Sequence, residues 1–300
     1  MRLTAIFAAA LLSACSPSDT PTQGNEAAPE TPVVPPASET VATDPAAPRL
    51  EQVWISTGFD RPEGVAVYKD TLLISNISGE GAAKDGVGWI SRVSMDGEML
   101  EEKWVEGLNA PKGMAVRGNI LFVADIDAYH TINADTGERL NTYEIEGAGF
   151  MNDVTVWNTD VFASDSSGAS IYQLDENGYK LWLQDDQMDG INGLLGQGDN
   201  LIISTMTEGL LLSAGGGRDL IEIATGMKNS DGIAALPDGE YVVSSWPGQI
   251  WHVASDGSVT KLLDTEADGI LQNDLTGVGD LIVVPNLTSG TVTAWRLVRD

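Results

Sequence analysis

From Leu50 onward, short apolar runs alternate with polar turns, and none is long enough for a helix. One stretch shows the grammar: IAALP, the turn Asp238-Gly239, YVVSSW, the turn Pro247-Gly248, QIWHVAS, the turn Asp256-Gly257, then SVTKLLD. Runs of four to seven residues rich in β-branched and aromatic side chains, joined by Asp-Gly turns, predict hairpins. No stretch carries the 3.6-residue period of an amphipathic helix. The pattern therefore predicts an antiparallel four-stranded meander.

The meander recurs. First strands align as PEGVAV from Pro62, PKGMAV from Pro111, MNDVTV from Met151, INGLLG from Ile191, SDGIAAL from Ser230 and QNDLTGV from Gln272. Second strands align as LLISN, LFVAD, VFASD, LIISTM, YVVSS and LIVVP. The slot before Gly, or before the residue in its place, holds Glu63, Lys112, Asn152, Asn192, Asp231 and Asn273 or Asp274; with Asn273 the intervals are 49, 40, 40, 39 and 42 residues. Strand-rich repeats of ~40 to 50 residues predict a propeller, here an all-β one of six four-stranded antiparallel blades. The last unit, from Asp268, has chain for only three strands, and EQVWIST, Glu51–Thr57, has no partner of its own. Placing 51–57 as the outer strand of the last blade closes the ring and removes an edge. The longer first interval comes from SGEGAAKDGVG, Ser78–Gly88, a Gly-rich insertion between second and third strands expected to overhang one face.

Composition divides the chain. MRLTAIFAAALLSAC is one basic residue followed by a short apolar run, a secretory signal too short to span a bilayer, which takes ~20 apolar residues. Leu12-Ser13-Ala14-Cys15 resembles the lipobox of bacterial lipoproteins, which implies a signal peptide over 1–14 and lipidation of Cys15; the alternative is a secretory signal cut nearby. Cys15 is the only cysteine, which excludes disulfides and thiolate metal sites beyond it. Ser16 in place of Asp favours the outer membrane, facing the periplasm, over retention at the inner membrane. Residues 16–48 hold eight of the thirteen prolines and no aromatic residue. Such a segment cannot offset the entropy of ordering it, so 15–48 reads as a tether and 49–300 as the folded part, expected to be monomeric. Sixteen basic against 44 acidic residues give a net charge of −28, which excludes nucleic acid as a partner and leaves the lipid anchor as the only membrane contact.

In a propeller the first strands line the central channel, so one slot repeated in six blades becomes a ring of side chains. Two carboxylates, three amides and an ammonium offer oxygen ligands suited to Ca²⁺ or another hard divalent cation, with no sulfur or imidazole for zinc or copper. Turn chemistry is the competing reading, since Asn-Gly and Asp-Gly are turn dipeptides; Glu63 is a poor turn residue at the same slot. DDQMDGINGLL, Asp185–Leu195, mimics half of an EF-hand, but its twelfth position is Gly196, not a carboxylate.

The order Glu63, Asn152, Asn192, Asp231 resembles the calcium-dependent six-bladed hydrolases of the senescence-marker-protein/gluconolactonase family and diisopropyl-fluorophosphatase. The resemblance covers the layout of 51–300 and implies that Glu63, Asn192 and Asp231 hold one divalent ion, with Asn152 of the Asn152-Asp153 pair touching the metal or the substrate. It implies Asp231 as general base in hydrolysis of a lactone or related ester and Asn152 at the small-molecule substrate; the ring slots Lys112 and Asn273, and His130 near the channel mouth, are further candidates at that substrate. Where the lactonase pattern has Arg two residues before the blade-three Asn, this chain has Phe150. PEGVAV also resembles blade openings of NHL-type and strictosidine-synthase-like propellers, so a non-catalytic propeller binding a ligand or envelope protein is the alternative. Lys112 either sits back to meet an anionic substrate or bridges Glu63 and Asp231 in place of a metal. His130, in DIDAYH, is placed at a strand end within reach of the channel mouth together with Asp125 or Asp127; His252 reads as a sheet-surface residue. No G-x-S-x-G, phosphate loop, H-E-x-x-H or Cys-x-x-Cys occurs. Tryptophans such as Trp89, Trp182 and Trp251 are expected to pack between blades.

Overall fold

Residues 47–299 are described by the computed structural model. The signal peptide, Cys15 and all but the last residues of the tether lie outside them. The chain enters as β1 (Arg49–Thr57), then lays down blade one as β2 (Pro62–Tyr68), β3 (Thr71–Asn76), β4 (Gly88–Ser94) and β5 (Met99–Leu108). Blade two is β6 (Pro111–Arg117), β7 (Ile120–Asp125), β8 (Ala128–Asn133) and β9 (Arg139–Glu144); blade three is β10 (Met151–Trp157), β11 (Asp160–Asp165), β12 (Ser170–Asp175) and β13 (Gly178–Gln184). Blade four is β14 (Ile191–Gln197), β15 (Asn200–Thr205), β16 (Leu211–Gly215) and β17 (Leu220–Ala224); blade five is β18 (Ser230–Ala235), β19 (Tyr241–Ser245), β20 (Gln249–Val253) and β21 (Val259–Asp264). The chain ends with β22 (Thr276–Val278), β23 (Leu281–Asn286) and β24 (Thr291–Val298). Each sheet has four antiparallel strands in sequence order, except the sixth, β22-β23-β24-β1. The protein is thus a six-bladed β-propeller, closed by its N-terminal strand as the unpartnered run predicted.

The hydrophobic core is a set of layers between blades. Leu73 and Ile90 of blade one pack with Met114, Leu121 and Val123 of blade two; Trp157 and Phe162 of blade three pack with Leu194 and Leu201 of blade four, braced by Trp182 at 5.9 and 5.3 Å between ring centroids. Closure is hydrophobic as well as hydrogen-bonded, because Val278, Val283 and Val292 of blade six pack on Val65, Leu72 and Ile74 of blade one. Each blade therefore buries both faces against neighbours, which explains the near-continuous apolar runs of the second strands.

The inner strands bulge at the repeated slot. Pairing jumps between Pro62 and Val65 in β2, and likewise between Pro111 and Met114, Met151 and Val154, Ile191 and Leu194, and Ser230 and Ile233. A bulge leaves a residue out of the ladder and re-aims its side chain. The loosened N–H is taken by the serine one residue before the end of the second strand: Gly64 N donates to Ser75 Oγ at 2.8 Å, and Asp153, Gly193 and Gly232 N to Ser164, Ser204 and Ser244 Oγ at 2.9 Å. Ser164 Oγ in turn donates to Asn192 O at 2.6 Å, and Ser204 Oγ to Asp231 O, so the clamp also ties blades three and four to the slot of the next blade. Space on the axis is tight. A Cβ on Gly113 would lie 2.3 Å from Asp153 Oδ1, and one on Gly232 2.0 Å from Leu275 N, which is why Gly follows the slot there.

Candidate metal centre

Five bulges, and in blade six the segment before β22, carry the six slots of a buried ring. Glu63, Lys112, Asn152, Asn192, Asp231 and Asn273 are each at most 6% exposed, on or just before inner strands that neighbour one another around the axis. Asn152 Nδ2 donates to Ser166 Oγ at 3.2 Å, which commits the amide nitrogen and leaves the oxygen free. Among the described residues nine buried side-chain polar atoms lack a hydrogen-bond partner, and three are Glu63 Oε2, Asn152 Oδ1 and Asn192 Oδ1. Three of the four expected ligands thus carry an orphaned, desolvated oxygen, an arrangement costing about 1–3 kcal/mol per atom unless something meets it. This donor set, three such oxygens with the Asp231 carboxylate, fits a hard cation such as Ca²⁺. The described residues contain no group of three His, Cys, Asp or Glu suited to a metal, so any ion here depends on the amide oxygens.

Burial dominates the electrostatics. The Glu63 carboxyl is pushed well above its usual range by loss of solvent and by the nearby Asp231 and Asp153 charges, against the opposing pull of Lys112. Burial, with Asp153 adding, raises Asp231 to about 7. Asp153 rises to about 7 for the same reason, although its carboxylate accepts from Val154 N and Leu194 N, both at 2.6 Å. Asp274, one residue past the ring, is likewise held well above its usual range by burial and by Asp153, Asp231 and Glu63. Asp153 and Asp274 end a cavity of about 370 Å³ that runs along the inner strands past Val65, Ala115 and Val154.

Lys112 sits back. Its Nζ donates to Gly81 O at 3.1 Å and Ala110 O at 3.2 Å and lies 4.4 Å from the centre of the Phe150 ring. It makes no ion pair with Glu63 or Asp231, so the bridging alternative is not what the chain adopts; burial lowers its pKa while Glu63 and Asp125 raise it. Gly81 belongs to the 78–88 insertion, which is also fixed by Arg61 Nη1 to Gly79 O at 2.6 Å and by Lys84 to Asp127 Oδ2 at 2.6 Å. The insertion therefore does overhang the ring face, beside blade two.

His130 is corrected. It lies inside β8, not at a channel mouth, with Nε2 2.9 Å from Asp125 Oδ2 and Nδ1 2.8 Å from Thr142 Oγ1. Asp125 also accepts from Asn109 N and Ala110 N at 2.8 Å, and these bonds with His130 hold it below its usual value against the cost of burial. Both ring nitrogens are thus occupied, Nε2 by the Asp125 that braces the loop leading to Lys112 and Nδ1 by Thr142 of β9. His252 is also buried rather than on the sheet surface, 2.9 Å from Glu240 Oε2. In DDQMDGINGLL, Asp185 Oδ1 caps a single turn by accepting from Gln187 N at 2.9 Å, as a loop and not a calcium site.

One feature gave no sequence signal. Trp246 is the only tryptophan among the exposed large apolar side chains of the described residues, at 39%. It stands on the same face as the ring, immediately after Ser245, whose partner Ser230 precedes Asp231.

No protein-family model matches the chain, and no curated protein matches it. Solved structures share its fold. A gluconolactonase from Xanthomonas campestris has a TM-score of 0.62 and 18% identity over 84% of this chain and 90% of that one. A catalytically inactive virginiamycin B lyase from Staphylococcus aureus has 0.58 and 14%, over 84% and 100%. A chain of the nidogen/laminin complex has 0.60 and 13%, over 70% and 86%. At these identities the likeness establishes the six-bladed ring; two of the three are enzymes and one is part of a protein complex.

Proposed function

We propose that the ring is the centre of a Ca²⁺-dependent hydrolase of a lactone or related ester, held in the bacterial envelope by a lipid on Cys15 and facing the periplasm from the outer membrane. The observation that carries this reading is the set of orphaned oxygens on Glu63, Asn152 and Asn192 beside the Asp231 carboxylate. When bound, the cation supplies Lewis-acid polarisation of the scissile carbonyl. The chain's own residues do the rest. Asp231 is the carboxylate that would accept a proton from water and return it to the leaving oxygen; in the metal-free ring burial raises its pKa to about 7, and the deprotonated form that a base needs is favoured beside a bound cation. The water oxygen bonds to the carbonyl carbon, the ring C–O bond breaks, and a hydroxy acid results. Lys112, held at the edge of the ring by Gly81 O and Ala110 O, is the basic group placed to meet an anionic product, and Asn273 is buried in the same ring.

Thermal melts in EDTA and in Ca²⁺ test the centre, since an ion that binds only the native state raises the midpoint by mass action. The expected result is a Ca²⁺-dependent rise that Glu63→Gln and Asp231→Asn remove. No rise, or one that survives both substitutions, overturns the metal assignment. A panel of lactones and aryl esters should show turnover lost on Asp231→Ala; turnover insensitive to that change refutes the role of Asp231. An inactive panel favours the alternative of a binding propeller, of which the nidogen/laminin likeness is an instance of the same fold in a complex.

A further inference from the structure

A groove of about 550 Å³ opens on the ring face between blades five, six and one. Its walls are Phe59, Trp246, Leu271 and Leu287, with Arg61 and Thr288 at the rim. It begins where the ring ends. Arg61 is two residues before Glu63, Leu271 is two before Asn273, and Trp246 follows the strand end paired beside Asp231. The groove thus flanks, without including, three consecutive ring positions, those of blades five, six and one.

The polar side chains lining it already have protein partners. Asp60 accepts from Ser78 Oγ at 2.9 Å, Arg61 donates to Gly79 O, Thr288 Oγ1 donates to Gly269 O at 2.7 Å and accepts from Leu271 N at 3.0 Å, and Ser289 Oγ lies 2.8 Å from Thr291 Oγ1. Between them lies the apolar and aromatic surface of Phe59, Trp246, Leu271 and Leu287, and the groove's volume falls in the range of small-molecule sites. On the far side of the ring the wall is Phe150, with the Lys112 ammonium already held by two carbonyls. A hydrocarbon arm laid along Trp246, Leu271 and Leu287 would gain from burial, whereas each hydroxyl of a polyhydroxylated arm against those side chains would be desolvated at a cost.

We propose that this groove receives the apolar arm of the substrate, so that the site takes lactones or esters bearing an alkyl or aryl substituent rather than polyhydroxylated ones. This rests on the hydrolase reading for where the carbonyl lies, but not for whether the groove binds. Trp246 is the platform on which the arm lies, with Leu271 and Leu287 beneath it.

The test pairs turnover with binding. Along γ-lactones from γ-butyrolactone to γ-dodecalactone, kcat/KM should climb by up to about 4-fold per methylene until the groove is filled, with glucono-δ-lactone among the poorest substrates. Trp246→Ala should flatten that climb and Trp246→Phe should restore most of it. Calorimetric titration of γ-dodecalactone into the protein in EDTA needs no turnover and should show affinity lost at least 10-fold in Trp246→Ala. Trp246→Gln, which keeps much of the bulk without the aromatic ring, serves the same comparison if the alanine variant melts early. Binding that depends on Trp246 without turnover of any lactone leaves the groove standing and removes the hydrolase. A flat chain-length series, a preference for glucono-δ-lactone, a climb indifferent to Trp246, or no binding in EDTA overturns the groove.

Discussion

Raising the pH from 5 to 8 in EDTA should destabilise this protein, the reverse of ordinary acid denaturation. A carboxyl whose folded-state pKa lies above its unfolded value keeps its proton longer in the native state. Its contribution is whole below pH 3.8 and is lost as pH rises through about 7. Asp231 is such a group, moved from 3.8 to about 7 by burial and by Asp153. Between pH 5 and 8 its ionisation alone removes about 2–3 kcal/mol, or ~5–10 °C of melting temperature for a domain of this size. Asp153, Asp274 and Glu63 are shifted in the same direction and add to the fall. Carboxyls held below their usual values, such as Glu240 bonded to His252 and Arg299, lose their contribution only at lower pH and do not confuse the window.

Differential scanning calorimetry in EDTA across that range measures the slope directly. Asp231→Asn, which carries no charge at any pH, should melt above wild type at pH 8 and show a shallower decline. Calcium should raise the wild-type midpoint most at pH 8, where the ring is deprotonated, and little at pH 5. A melting temperature that is level or rising from pH 5 to 8, or an Asn variant with the wild-type slope, refutes the claim that these carboxyls are desolvated and charge-coupled on the axis.

Gly232→Ala puts a Cβ 2.0 Å from Leu275 N and 2.3 Å from Asp274 Oδ1, and should cost about 3 kcal/mol, whereas Gly216→Ala meets nothing within 4 Å and should melt with wild type. Ser204→Ala strips the partner from Gly193 N and frees Asp231 O, so chemical denaturation should show a loss of about 1–3 kcal/mol, with a weakened Ca²⁺ response although no ligand is removed.

The blades were legible because a propeller repeats one local problem six times. Each unit needs turns at fixed offsets and two apolar faces, and both leave marks in sequence at a period of about 40. The closing strand was legible for a related reason: EQVWIST is a strand without a local partner, and blade six lacked one. The bulge was hidden, because nothing in PEGVAV or INGLLG distinguishes a strand that slips by one residue from one that does not. Its signature lies in the partner strand, in Ser75, Ser164, Ser204 and Ser244, where a hydroxyl waits for the loosened N–H. His130 was misplaced because its partners, Asp125 and Thr142, are both within its own blade, and a histidine near a strand end carries no mark of which way the pleat turns it. Trp246 and its groove were invisible because their walls come from three different blades, with Phe59 and Arg61 at the opposite end of the chain from Trp246, Leu271 and Leu287.

Lys112 shows how the structure narrows what the ring can do. An ammonium beside two carboxylates would ordinarily neutralise one of them, and a ring so paired would have no use for a cation. Here the side chain is drawn away by two carbonyls and the face of Phe150, so its field reaches Glu63 but its hydrogen bonds do not. Glu63 Oε2 is left unpaired, and Glu63 and Asp231 repel. Buried carboxylates in that position have two remedies, a proton or a metal ion. Protonation serves below about pH 7 for Asp231 and fails above it, so at the pH where Asp231 could act as a base the charge on the ring calls for a cation. The Phe150 that holds Lys112 aside also stands where the gluconolactonase pattern has arginine. Phe150 thus bears on both readings: its ring face helps to hold Lys112 away from Glu63, and it adds apolar surface across the ring from the Trp246 groove.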